Sequence, residues 1–159
     1  MTTVAAPAPR TVAASAREAV AFDLEGGLIN VRRICRLASD ASAFHAAMLG
    51  CPPNRRVVAA ARRAHANGQS ALVMTGGSRR LEQLAVTWLG RNGVPGTLIL
   101  MRSRGDYRPD AVMKRERLLA IRRQFTSLTV WSADPNVTRL SAREGIDVTE
   151  LSGYWGDPQ

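Results

Sequence analysis

Ala19-Val20-Ala21-Phe22-Asp23-Leu24-Glu25-Gly26-Gly27-Leu28 is the stretch that decides the architecture. A short apolar run ends on an acid and then on a glycine pair, which is the pattern of a buried strand running into a loop. The same pattern recurs along the chain. Ala71-Leu72-Val73-Met74 leads into Thr75-Gly76-Gly77, Thr97-Leu98-Ile99-Leu100-Met101 into a polar loop over 102–110, and Leu128-Thr129-Val130-Trp131 into Ala133-Asp134-Pro135-Asn136. A fifth strand is expected over 146–151.

Between the strands the apolar spacing turns helical. Val57, Val58, Ala61 and Ala64 share one face of a helix over 55–67 that stops at Gly68. Leu81, Leu84, Ala85, Trp88 and Leu89 do the same over 79–91, and helices are expected over 111–123 and up to Glu144. Residues 28–53 read as irregular, with a short helix over 42–49. Strands alternating with helices predict an α/β fold, a Rossmann-like parallel sheet of about five strands with helices on both faces and a minimal cap. In such a sheet every strand points its carboxyl end at one edge, where ligands bind near the reversal of strand order.

The chain has 159 residues, the size of one domain. Residues 1–17, rich in Ala, Pro and Thr and lacking acids, read as a flexible N-terminal tail, with a transit-type peptide of similar composition as the alternative. The domain proper is expected over 18–159. No apolar run approaches the roughly 20 residues needed to span a bilayer, so no membrane association is expected. Cys35 and Cys51 form no Cys-x-x-Cys pair and share no zinc spacing with His45 and His65, which suits a reduced, cytoplasmic setting. The net charge is +9, carried by Arg with a single Lys, Lys114. Compositional bias toward Arg accounts for much of this; a surface that attracts polyanions such as nucleic acid is the functional reading.

Residues far apart in sequence are thus expected at one edge of the sheet. Strand one delivers Asp23 and Glu25, strand two Thr75 and Gly76-Gly77, the loop after strand three leads to Lys114, and strand four delivers Asp134. A carboxylate can attack phosphorus and form an acyl-phosphate. Clustered carboxylates bind Mg²⁺ and leave positions for water and a substrate phosphate. A lysine neutralises phosphoryl oxygens, and Thr75 with the amides of Gly76 and Gly77 could hold another at a helix N-terminus. Taken singly, each residue has an ordinary alternative: Asp23 and Asp134 as helix caps, Thr75-Gly76-Gly77 as a turn, Lys114 as a solvated side chain. Trp88 and Trp131 read as core.

The order Asp23, Thr75, Lys114, Asp134, each after a strand, resembles the four motifs of the haloacid dehalogenase superfamily, and within it the 3′-phosphatase domain of phage polynucleotide kinase and its stand-alone relatives. The strings AVAFDLEGGL, ALVMTGGSRR, VTWLGRNGV, TLILMRSRGDYRPDAVMKRERL and TVWSADPNVTRLSAREGIDV carry the resemblance over most of residues 19–151. The resemblance implies a Mg²⁺-dependent phosphomonoester hydrolase acting on a phosphorylated substrate, nucleic-acid 3′ ends among them. Asp23 would be nucleophile and metal ligand. Glu25 would be general acid/base, its carbonyl also on the metal. Thr75, Gly76 and Lys114 would hold phosphate, with Lys114 also catalytic, and Asp134 would be the third metal anchor. Arg79 follows the second motif closely, and Arg102 and Arg108 lie in a loop that flanks the nucleic-acid end in relatives; all three are expected to face nucleic acid.

The motifs are degenerate. The family's Asp-x-Asp-Gly-Thr is Asp23-Leu24-Glu25-Gly26-Gly27 here, its Ser/Thr-Gly-Arg is Thr75-Gly76-Gly77, and its paired acids after strand four are Ala133-Asp134. A displacement of about 1 Å of a catalytic group can lower a rate about 10²-fold. The alternative function is therefore a catalytically impaired descendant that binds nucleic acid or a partner protein.

Overall fold

A computed structural model describes residues 17–95 and 98–151. The expected tail through residue 16, the first position of the third strand (Thr97), and the C-terminal residues after Leu151 lie outside the described residues.

Five parallel strands form one sheet in the order β3-β2-β1-β4-β5. They are β1 (Glu18–Asp23), β2 (Ser70–Ser78), β3 (Leu98–Arg102), β4 (Ser127–Ser132) and β5 (Asp147–Glu150). The helices are α1 (Ala41–Met48), α2 (Arg55–Ala66), α3 (Glu82–Arg91), α4 (Asp110–Arg122) and α5 (Pro135–Arg143). β1 is central. It pairs with β2 from Ala19↔Ser70 to Asp23↔Met74, and with β4 from Glu18↔Ser127 to Phe22↔Trp131. Strand order therefore reverses at β1, between β2 on one side and β4 on the other.

Side-chain alternation splits the core across the sheet, as the period of two requires. Val20, Phe22, Ala71 and Val73 pack with Phe44 and Met48 of α1, Val57 and Ala61 of α2, and Trp88 and Leu89 of α3. Ala19, Ala21, Leu72 and Met74 pack on the opposite face with Leu118 of α4 and Val137 of α5. Helices thus cover both faces. The Trp88 indole is core, its Nε1 donating to the Cys51 carbonyl at 3.1 Å. Cys35 and Cys51 are both free thiols.

Two local features position the site. The chain turns sharply after β1: Leu28 N donates to the Asp23 carbonyl and Ile29 N to the Leu24 carbonyl, each at 2.8 Å. Residues 24–54 then carry one 3₁₀ turn (Cys35–Leu37) and α1, which is the whole of the cap among the described residues. The second feature corrects an expectation. Thr75, Gly76 and Gly77 are extended strand, continuing β2 to Ser78 through an irregularity in its pairing with β3. The helical segment begins only at Arg79, so these residues are not a helix N-terminus.

Candidate active site

Asp23 ends β1, at the point where strand order reverses. Its carboxylate is 1% exposed and both oxygens are engaged. Lys114 Nζ, from the second turn of α4, donates to Oδ1 at 2.5 Å. The Ser132 hydroxyl, from the end of β4, donates to Oδ2. Lys114 is itself only 3% exposed. Among the described residues the chain's single lysine is the one Lys or Arg side chain buried in the core, a compact ammonium on a flexible stem. Burial works against its charge, but the Asp23 and then the Glu25 carboxylates outweigh that and hold it protonated above its ordinary range. Burial pushes the Asp23 carboxyl up, and the charge of Lys114, its hydrogen bond and that of Ser132 offset only part of it.

Glu25 lies one turn of the loop further on and is also buried. Its Oε1 accepts from the Thr75 hydroxyl, whose oxygen in turn accepts from Gly77 N at 3.0 Å. His45 Nε2 of α1 stands 3.7 Å from the same Oε1, and its Nδ1 donates to the Ala41 carbonyl at 2.6 Å. Burial raises the Glu25 carboxyl, but His45, the charge of Lys114 and the Thr75 hydroxyl outweigh it, and the net shift is downward. His45 moves the other way: burial lowers it, and Glu25 more than compensates. Glu25 Oε2 is buried with no hydrogen-bond partner among the described residues.

The structure thus brings Asp23, Glu25, Thr75 and Lys114 together, in two connected pairs. Asp134 adjoins them less directly. Its backbone N donates to Ser132 Oγ at 3.0 Å, so one hydroxyl links it to Asp23, while its carboxylate caps α5 by accepting from Asn136 N at 2.8 Å. Among the described residues no three His, Cys, Asp or Glu side chains gather into a metal-holding group. Mg²⁺ binds through one or two carboxylates and otherwise keeps water or takes substrate phosphate. Asp23 and Asp134 are the carboxylates that would meet that demand once Asp23 gives up Lys114 or Ser132, whereas the Glu25 side chain is turned toward Thr75 and His45.

The three arginines divide. Arg79 is exposed, and its side chain forms no hydrogen bond or ion pair among the described residues. Arg102 is an internal brace, its side chain 14% exposed. Its Nε donates to the Gly76 carbonyl at 3.0 Å, its Nη1 to the carbonyls of Asp106 at 3.1 Å and Arg108 at 2.5 Å, and its Nη2 to Asp110. Arg108, half-exposed, is paired with Asp106 and Glu116. Phosphate contacts by Arg102 would require breaking this set. Gly76 sits beneath the same knot: a Cβ there would lie 2.2 Å from Asp110 Oδ2.

Sequence reasoning missed His45, Ser132 and Asp110. Ser132 carried a signal, because it continues the inward positions Leu128 and Val130 of β4 with a hydroxyl. His45 carried none, since its meeting with Glu25 depends on how residues 24–54 fold back.

No protein-family model matches the chain, and no curated protein sequence matches it. Among solved structures it is similar to a chain of the Pnkp1/Rnl/Hen1 RNA repair complex, with a TM-score of 0.72 and 20% identity over 91% of this chain and 45% of that one. A second structure of a Pnkp1/Rnl/Hen1 complex gives 0.71 and 20% identity over 87% and 47%. The chain spans less than half the length of these neighbours. At this identity the likeness establishes the shared α/β fold.

Proposed function

We propose that this chain is a phosphomonoester hydrolase that acts on nucleic-acid ends through Asp23. The observation that carries the reading is the pairing of Asp23 with Lys114 and Ser132 at the strand-order reversal, residues 91 and 109 positions away in sequence. Buried charges of this kind are concentrated at functional sites. The net charge of +9 and a fold shared with chains of RNA repair complexes favour a nucleic-acid substrate over a small metabolite.

In this reading Asp23 Oδ attacks phosphorus, the bond from phosphorus to the leaving oxygen breaks, that oxygen takes a proton from water and departs as an alcohol, and an aspartyl-phosphate forms. Lys114, held protonated, passes from Asp23 to the phosphoryl oxygens and neutralises them. Thr75 orients the group through its hydroxyl. Glu25, held ionised, takes a proton from the water that hydrolyses the acyl-phosphate, with His45 fixing the carboxylate. Asp23, Asp134 and the Glu25 carbonyl would hold Mg²⁺, which would supply further positive charge to stabilise the phosphoryl oxygens. Asp23, Glu25, Thr75 and Lys114 are each 4% exposed or less, so substrate reaches Asp23 only after Lys114 swings aside.

That burial also supports a second reading, a binding module in which the Asp23–Lys114 pair is structural. Turnover separates the two. The purified protein with Mg²⁺ is expected to release phosphate from a 3′-phosphorylated oligonucleotide, and Asp23→Asn, confirmed folded by circular dichroism, to lose that activity. Equal rates in the two proteins would overturn the catalytic reading. Salt-dependent oligonucleotide binding without turnover would favour the module.

A further inference from the structure

Tyr107 is 94% exposed, against 46% for Val86, the next most exposed large hydrophobic residue among those described. On a loose loop this would mean little. The loop over 103–109 is held from within. One nitrogen of Arg102, Nη1, accepts neither neighbour's motion: it donates to the carbonyls of both Asp106 and Arg108, the residues on either side of Tyr107. Arg108 clasps the Asp106 carboxylate through Nε at 2.9 Å and Nη2 at 2.7 Å, and holds Asp106 well below the usual carboxylate range. Asp106 N donates to the Ser103 carbonyl at 3.2 Å, and Arg117 donates to the Ser103 hydroxyl. The Tyr107 side chain has no polar partner among the described residues. The loop thus fixes a ring in water, where its apolar faces are unfavourable to leave exposed.

The ring also has the right neighbours. Arg104, in the same loop, is exposed, and its side chain forms no hydrogen bond or ion pair among the described residues. Arg79, equally free, follows Ser78, which pairs with Arg102 at the root of the loop. The loop ends at Asp110, whose carboxylate lies over Gly76, next to Thr75. Asp110 follows Tyr107 by three positions, so their Cα atoms are at most about 11 Å apart. The ring therefore stands within a few residues' reach of the Asp23 site, with two free guanidinium groups beside the same loop.

We propose that Tyr107 is a stacking platform for a nucleobase of the strand whose terminal phosphate enters the Asp23 site, with Arg104 and Arg79 on the adjoining backbone phosphates. The proposal rests on the nucleic-acid-end reading above. Stacking on an aromatic face is tolerant of base identity, and guanidinium groups tracking the backbone supply the rest of the affinity.

The test is binding, which requires no turnover. Fluorescence anisotropy at low salt would compare two labelled 3′-phosphorylated single strands, one with bases throughout and one abasic over its terminal nucleotides. Tyr107→Ala is expected to weaken binding of the base-bearing strand about tenfold and to leave the abasic strand within about twofold; Tyr107→Trp is expected to retain wild-type affinity. Equal affinities of wild type and Tyr107→Ala for the base-bearing strand would overturn stacking while leaving the function proposed above intact. Equal losses on both strands would also overturn it, by showing that the ring only shapes the loop. Wild-type protein that binds neither strand would overturn both proposals. Binding without phosphate release would overturn hydrolysis alone.

Discussion

Gly27 has no room for a side chain. A Cβ built there would lie 2.1 Å from the Asp23 carbonyl oxygen. The obstacle is backbone, already fixed by the hydrogen bond from Leu28 N, so it cannot turn aside as a side-chain tip would. This gives a physical reason why the threonine of the resembled Asp-x-Asp-Gly-Thr string is missing here: the loop is wound too tightly onto β1. Gly27→Thr is accordingly expected to destabilise the fold by about 3 kcal/mol or more, at or beyond the upper end of typical overpacking. Chemical denaturation measures this, and an unchanged midpoint would sink the account. At the next acid, Glu25 and His45 shift in opposite directions. A carboxyl lowered on folding contributes stability above its ordinary value of 4.5 and loses it as pH falls through the folded value. An imidazole raised on folding contributes below its ordinary 6.5 and loses it as pH rises through the folded value. The pair therefore contributes fully between those two ordinary values. The stability difference between wild type and His45→Gln is expected to be largest there and to shrink on both sides; a difference that does not vary with pH would refute the pairing.

Among the elements, the strands and helices were legible within a residue or two because each carried its own period and its own stop. β2 is the exception. Thr75-Gly76-Gly77 reads as a turn from composition, since paired glycines ordinarily break a strand. They remain extended because tertiary partners require it: Arg102 binds the Gly76 carbonyl, Asp110 covers Gly76, and Gly77 N is taken by Thr75. The meeting of Asp23, Glu25, Thr75 and Lys114 was legible from the order of the elements that carry or precede them. The orientation of Arg102 was not, because nothing in a sequence distinguishes an arginine aimed at solvent from one folded back on carbonyls. Its five donors suit that bracing role and an ammonium does not. Arg102→Lys is expected to increase amide hydrogen exchange at Asp106 and its neighbours in the 103–109 loop while α2 and β4 remain protected. Exchange that is unchanged in the loop would remove Arg102 as its brace.

Across the whole molecule, only some of the positive charge is paired. Arg102, Arg108 and Arg115 on or beside α4 are each matched to a carboxylate. Arg104, Arg123, Arg139 and Arg143, on or beside α4 and α5, are exposed without an ion pair among the described residues, and so, on the other side of the sheet, are Arg55 and Arg56 at the start of α2 and Arg79 and Arg80 after β2. Since α2 descends from the edge that β1 and β2 point toward, these last free cations begin at the rim of the Asp23 site. Composition revealed the excess of arginine, but which arginines are paired depends on where the few acids fall in three dimensions. Among the described residues no helix is long and apolar enough to cross a membrane.

The placement of β1 has a consequence for how the protein is made. The central strand is the first to be synthesised, yet Ser132, which closes its second side, comes 109 residues later. At roughly 5–20 residues per second the ribosome takes about 5–20 s to deliver it. Throughout that interval β1, apolar along nearly its whole length, presents an unpaired edge of the kind that recruits other chains. A nascent chain broken off before Ser127 would keep that edge for good, so the line along which the finished protein is best protected is the one along which the unfinished protein is most prone to aggregate.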